Sequence, residues 1–314
     1  MSGIVFAETI RKKKNEQLLF KYAGVLRRIR PYLFLAPALA LYAVFFLFPL
    51  IYAVFLSFHD WNLISPNMDY VSLDNYLAVF RDRVFWQSLK NNVVYVAGTV
   101  IPSMCIGLVL ACLVENTKKA KEIYRTLLFL PVVVSMAVAT LIWMLLLSPV
   151  DGLVNSLLGI IGISGPNWLN HPVWSMVSLI IVGIWKNTGY LMILYIASLK
   201  GINANLYEAA VIDGAGWLRQ FRYITLPLLT HVHVFVMIIS IIQSFQVFAS
   251  IHVMTSGGPN NSTNMLVYQV WQETFQFFDI GKSSALSVLL FLIVLTISIV
   301  QLRAMEKNPA YHIN

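Results

Sequence analysis

The sequence predicts an all-α integral membrane protein with six transmembrane helices, and three observations carry that expectation. Of 314 residues, 58% are hydrophobic and only 11% charged, too apolar a balance for a water-soluble domain. Six stretches reach the length of about 20 residues that a hydrocarbon core requires. Lys and Arg cluster in alternate connecting segments, the pattern of retention on the cytoplasmic side.

The spans follow in order. Residues 1–31 form a basic segment with Arg11, Lys12, Lys13, Lys14, Lys21, Arg27, Arg28 and Arg30. The first span, Tyr32 to Phe58, is too long for a signal h-region and is read as a retained anchor. Residues 59–90 form an external loop, and 91–302 a five-helix core with spans at Asn92 to Val114, Thr126 to Leu147, Val173 to Leu199, His231 to Thr255 and Ile280 to Leu302. A tail, 303–314, completes the chain.

Lys118, Lys119, Lys121 and Arg125 follow the second span, Lys200, Arg219 and Arg222 the fourth, and Arg303 and Lys307 the sixth. The other side carries Arg81, Arg83, Lys90 and Lys282. Both termini and the 200–230 loop are therefore expected in the cytoplasm, and the net charge of +8 serves topology and attraction to anionic lipid, not nucleic acid. Cys105 and Cys112, seven apart on one helix, lie roughly 10 Å apart, beyond disulfide reach.

Between the fourth and fifth spans lies Glu208-Ala209-Ala210-Val211-Ile212-Asp213-Gly214-Ala215-Gly216, then Ile224-Thr225-Leu226-Pro227. Read physically, Asn205 caps a short helix from Leu206 to Asp213, Glu208 completes a capping box, and Gly214 ends the helix in left-handed geometry. Ala209 and Ala210 leave a smooth patch for a partner, with Ala215 just past the turn. Trp217 and Phe221 open a second helix that Pro227 stops or bends. As a bland alternative, Glu208 is a cap and nothing more.

This loop resembles the EAA loop of ABC-transporter permeases: Glu-Ala-Ala, three residues, Gly, nine residues, then Ile-x-Leu-Pro. Thr255-Ser256-Gly257-Gly258-Pro259, Gly152-Leu153-Val154-Asn155 with Trp168-Leu169, and Ser57-Phe58-His59-Asp60-Trp61-Asn62 are similar to segments of the maltose and glycerol-phosphate permeases. The resemblance implies a type I ABC importer permease fold with both termini inside, in the inner (cytoplasmic) membrane. It implies a second homologous permease, two ATPase subunits holding ATP and Mg, an external or periplasmic solute-binding protein, and a sugar substrate. In this reading Glu208, Ala209, Ala210, Asp213, Gly214, Ala215, Trp217, Phe221, Leu226 and Pro227 couple to the ATPase.

A solute path through the bilayer needs polar groups where they are otherwise costly. The fourth span offers Lys186, Asn187 and Tyr190, and the fifth Ser240, Gln243, Ser244 and Gln246. Tyr190 and Ser240 match sugar contacts of the maltose-type permease, whereas Ser244 stands where that family member has asparagine. The same groups could instead bond neighbouring helices. Lys186 could meet an acidic substrate, pair with a carboxylate of a partner permease, or reach toward water.

No catalytic or metal site is expected. Gly281-Lys282-Ser283 lacks the leading glycine of a phosphate loop, so ATP belongs to a separate chain. His231 and His233 fall on different sides of a helix. Glycerol phosphate as solute, and a stand-alone secondary transporter, are the alternatives; the second would call for carboxylates or repeats within the spans.

Overall fold

The computed structural model describes Tyr32 and residues 34–62, 64–65, 67–117 and 119–306, the last two as backbone. The basic segment 1–31 and the end of the tail lie outside the described residues. Contacts divide the chain into two units, Met1–Phe55 and Leu56–Asn314.

The first unit contains nearly all of α1, Phe34–Leu56, which has no charged side chain. Midway it widens into a π turn at Ala43–Leu47, closed by the Phe48 N–H donating to the Ala43 carbonyl. Pro49 lies just beyond. Its ring lacks an N–H and crowds the carbonyl four residues back, so the ladder accommodates it by one wider turn.

The second unit begins with a short hairpin, β1 His59–Asp60 against β2 Asp69–Tyr70, antiparallel with His59 opposite Tyr70. α2 spans Asp74–Arg81 and α3 spans Arg83–Asn116, with the Asp82 carboxylate accepting from the Val84 N–H at 2.8 Å as N-cap. Thirty-four residues make α3 about 50 Å long. The sequence reading started this span at Asn92; the helix begins two and a half turns earlier, because the cap lies at Asp82.

α4 (Lys121–Val133) and α5 (Met136–Leu146) follow, then α6 (Leu153–Ile160), α7 (Pro172–Leu199), α8 (Ala204–Ile212) and α9 (Trp217–Leu228). α10 (Thr230–Phe245), α11 (Ala249–Met254), α12 (Leu266–Phe275) and α13 (Ile280–Glu306) complete the unit. Four of the described helices are long and apolar enough to cross a membrane, and six spans result if each bent pair counts as one.

The first bent pair interrupts the span expected from Thr126 to Leu147, whereas the second bends just past Pro227, where the sequence places a stop or bend ahead of the fifth span. α4 and α5 meet at 96°, and α9 and α10 at 65°. The predicted fifth span, His231 to Thr255, is itself interrupted after Phe245, where Gln246 to Phe248 leave the helix before α11. Hydropathy alone cannot register a change of direction.

α3 and α7 form the centre of the unit, with α4 and α10 packed alongside. Tyr95, Leu179 and Val182 are buried in one cluster, and Ala111, Leu191, Met192 and Tyr195 in another. Close approach depends on Gly183, where an added Cβ would lie 2.6 Å from the Tyr95 hydroxyl. Small residues at such crossings let helices gain packing contacts that lipid cannot supply. At the start of α3, Asn91 Nδ2 donates to the carbonyls of Asn261 and Asn264, each at 2.8 Å, and Asn92 Oδ1 accepts from the Leu266 N–H at 2.9 Å. These bonds tie the segment before α12 to the central helix.

Candidate functional site

The loop singled out in the sequence folds into α8 and α9 at the end of the unit where α3 and α7 terminate. Asn203, not Asn205, is the N-cap: its Oδ1 accepts from the Asn205 N–H at 3.0 Å. Its backbone is extended, with ψ of 121°, whereas Asn205 already lies inside the helix. Glu208 consequently sits in the body of α8 and forms no capping box. Its carboxylate, like Ala209, is exposed, and Ala210 is half-buried.

The C-terminus follows the expected geometry. Gly214 adopts φ of +72°, its N–H donates to Val211 O at 3.0 Å, and the Ala215 N–H reaches back to Ala210 O at 2.8 Å. That pair is a Schellman motif closing the helix after the Asp213 C-cap. The Gln220 amide donates to Ala215 O at 2.9 Å, and the rings of Trp217 and Phe221 stack at 5.7 Å. Phe221–Thr225 is a second π turn, two residues ahead of Pro227 just as the first is ahead of Pro49. Leu226 and Pro227 are exposed, and the chain bends beyond them at Leu229.

α8 is held over a cavity of about 310 Å³ lined by Cys112, Glu115, Lys200, Tyr207, Gln220 and Phe221 among others. The Tyr207 hydroxyl bonds Thr225 Oγ1 at 2.9 Å, linking α8 directly to the π turn. Glu115, at the end of α3, forms ion pairs with Lys121 and Arg125, binding the α3 terminus to α4. Val211, Ile212 and Leu218 are 63–86% exposed, an uncovered apolar surface, while Trp217 lines the cavity itself. α8 is thus tied to the π turn through Tyr207, and its Val211 and Ile212 are left exposed.

The second candidate set lies on α7 and α10, which pack together. Asn187 and Tyr190 are half-buried, with Tyr190 against the Leu191–Tyr195 cluster. Ser240 and Ser244 are buried, and Gln243 and Gln246 exposed at the helix end. Among the described residues Ser240 Oγ has no hydrogen-bond partner, and no bond joins the α7 set to the α10 set.

Lys186 has a structural occupation. Its ammonium donates to the carbonyls of Pro131 at 2.9 Å and Val132 at 3.1 Å, and to that of Val134. These carbonyls stand at the α4–α5 break, where the last turn of a helix has no following N–H groups. Three ammonium donors meet three stranded acceptors. Gly189, one turn on, permits this: an added Cβ there would collide with the Leu128 carbonyl. The carbonyls of Pro131, Val132 and Val134 occupy all three of the ammonium's donors.

Sequence reasoning missed the cluster at the other end of the unit. Lys282, set aside as a failed phosphate loop, lies 2.9 Å from Asp82 Oδ2 and 2.6 Å from Glu273 Oε1. Asp82 and Lys282 are 200 positions apart, so no local pattern could link them. His233 Nδ1 lies 3.0 Å from the Tyr195 hydroxyl. Cys105 and Cys112 are free. Among the described residues no group of three or more His, Cys, Asp or Glu side chains is arranged to hold a metal ion.

With this geometry in place, known proteins give a consistent likeness. The family model described as binding-protein-dependent transport system inner membrane component matches residues 103–306. The chain is 36% identical over 280 residues to the probable ABC transporter permease protein YurN of Bacillus subtilis (strain 168), covering 88% of this chain and 96% of that one. It is 33% identical over 285 residues to the sn-glycerol-3-phosphate transport system permease protein UgpA of Yersinia enterocolitica, covering 90% and 95%. Among solved structures, a chain of a bacterial ABC transporter involved in the import of the acidic polysaccharide alginate superposes with a TM-score of 0.81 at 21% identity, covering 92% of this chain and 99% of that one. A second alginate transporter structure, in complex with an alginate pentasaccharide-bound periplasmic protein, gives 0.79 at 21% identity, covering 88% and 94%.

Proposed function

The chain belongs to the family of binding-protein-dependent transport system inner membrane components, and from that premise we propose that it is the permease through which an ATP-driven importer moves a sugar or oligosaccharide. In this reading it pairs with a second permease in the cytoplasmic membrane, both termini inside. Two ATPase subunits carry ATP and Mg, and an external binding protein delivers the solute. The observation that carries the reading is α8 itself, closed at Gly214, tied to α9 through Tyr207 and Thr225, with Val211 and Ile212 exposed.

Closure of the ATPase pair moves α8 as a rigid body, because the Schellman bonds, the Gln220–Ala215 bond and the Tyr207–Thr225 bond leave little slack between α8 and α9. The motion reaches α10 across the bend beyond Pro227, and α10 carries Ser240, Gln243, Ser244 and Gln246. With Asn187 and Tyr190 opposite, hydroxyls and amides bond the edge of a sugar while rings cover its apolar face. Lys186 serves by holding the break beside this path.

The likeness to UgpA supports a second reading, in which the solute is a small phosphorylated polyol. Binding of candidate solutes to the cognate external protein separates the two. A stand-alone secondary transporter is disfavoured by the family itself.

Affinity purification of the tagged chain from its native membrane tests the assembly. The expected result is a nucleotide-binding ATPase and a second permease retained by wild type, with the ATPase lost from Glu208→Lys. Retention of the ATPase by that variant would remove Glu208 from the dock.

A further inference from the structure

α2, Asp74–Arg81, is a short helix held to the rest of the unit along one side. Turning about 100° per residue, it presents three kinds of surface in succession. Asn75, Tyr76 and Val79 face the protein. Asn75 Nδ2 donates to the carbonyls of Ser57 and His59, each at 2.9 Å, the Tyr76 hydroxyl lies 2.7 Å from Ser57 Oγ, and Val79 is fully buried. Leu73, Leu77 and Phe80, at i, i+4 and i+7, form an adjacent stripe that is 45–55% exposed. Asp74, Ala78 and Arg81, on the third side, are exposed as well. An apolar stripe set between a packed side and a polar one is the pattern of a helix lying along a membrane surface.

The depth of α2 follows from α13, on which it rests. Residues 283–302 of α13 carry no charge, and twenty residues of helix rise about 30 Å, the thickness of a hydrocarbon core. Lys282 and Arg303 therefore mark its two edges. Asn75 stands at the Lys282 edge, so near that a Cβ on Gly281 would come within 2.8 Å of its Nδ2. Val79 and Tyr76 join a cluster with Ala285, Leu286 and Leu289, roughly one to two turns inside that edge. The uncovered stripe of the same short helix thus stands at the level of the headgroups and first methylenes, not in bulk water.

That stripe continues onto a span. The Trp86 indole N–H donates to the Phe80 carbonyl at 2.9 Å, and the two rings lie 6.4 Å apart. Trp86 heads the exposed side of α3, which runs on past Lys90 through Val93, Ala97 and Ile101. Arg81 and Arg83 are exposed and take part in none of the ion pairs among the described residues. An indole, an aliphatic stripe and two guanidinium groups together fit phospholipid: rings and methylenes at the acyl boundary, cations against phosphate.

We propose that α2 is an interfacial anchor, its stripe and Trp86 lying in the outer leaflet of the membrane with phospholipid as the partner and Arg81 and Arg83 against the phosphates. The contact with lipid rests on the membrane fold alone; its assignment to the outer leaflet rests on the permease reading above. The anchor adjoins Asp82, which caps α3 and pairs with Lys282 of α13. It therefore fixes the outer ends of two spans against the bilayer while α8 and α9 move at the other end.

The test uses the complete transporter, with its co-purifying partners, in lipid nanodiscs. An environment-sensitive fluorophore is attached to Leu77→Cys, and the signal of the unsubstituted transporter is subtracted. The expected result is blue-shifted emission, strongly quenched by phospholipid spin-labelled near the headgroup and barely by aqueous iodide. Ala78→Cys, on the polar side, is expected to show the reverse. Phe80→Cys repeats the lipid measurement should Leu77→Cys fail to assemble. A label at position 77 or 80 reached by neither quencher would assign the stripe to a protein neighbour, a second permease included, and overturn the proposal. In right-side-out vesicles a membrane-impermeant maleimide is expected to label Ala78→Cys. Iodide quenching at positions 77 and 80, with that labelling, would place α2 in water, overturning the anchor and leaving the permease reading intact. Lipid quenching at position 77 without that labelling would overturn the outer-leaflet assignment and the orientation on which it rests.

Discussion

Lys186→Met is expected to abolish ATP-dependent uptake and to destabilise the assembled transporter by several kcal/mol, on the order of 1–3 kcal/mol for each carbonyl left unsatisfied. The ammonium donates to the carbonyls of Pro131, Val132 and Val134 at the 96° break between α4 and α5. Lipid cannot replace those bonds, so the break must close into a different geometry or draw in water from the solute path at a cost. Lys186→Arg keeps a charged donor group and is expected to recover part of the uptake, limited by the fixed planar fork of the guanidinium. Thermal stability in detergent and uptake in proteoliposomes check both variants. Wild-type values for Lys186→Met would mean that the break is held by other contacts.

Gly214→Val is expected to uncouple ATP hydrolysis from transport. A Cβ at this position would meet nothing within 4 Å, so the effect comes from the backbone alone, at φ of +72°. A left-handed residue other than glycine costs roughly 1–2 kcal/mol, and a β-branched one is the least tolerated. The Schellman bonds would break to relieve that strain, and α8 would lose its fixed end. Gly214→Asn, which tolerates left-handed geometry, is expected to retain most coupling. Parallel assays of ATPase rate and uptake read the ratio directly. Unchanged coupling in Gly214→Val would remove the turn from force transfer.

The α8–α9 segment was legible in the sequence because its determinants are local. Glycine at the C′ position, aromatic residues four apart and proline at a bend each act within one or two helical turns, and Gly214, Trp217, Phe221 and Pro227 behave accordingly. Errors arose where two local choices were chemically equal. Asn203 and Asn205 are both able caps, and the extended backbone at Asn203 selects the first. The break after Val133 had a local signal that hydropathy discards, Pro131 inside the expected third span, whereas the break after Phe245 has none. Partners far apart in the chain were beyond reach altogether: Lys186 finds its carbonyls 52–55 residues away, and Lys282 finds Asp82 at 200. For the same reason the polar residues of α7 and α10 could be named as a set, but not arranged.

Coupling of an ATPase to solute movement through this chain is the central claim, and uptake into proteoliposomes tests it most directly. The chain would be reconstituted with its co-purified partners, the loaded binding protein added outside, and ATP enclosed within. The account predicts accumulation only when ATP and the binding protein are both present, and none when ion gradients replace ATP. Accumulation by the chain alone, driven by a proton or sodium gradient without nucleotide, would contradict it.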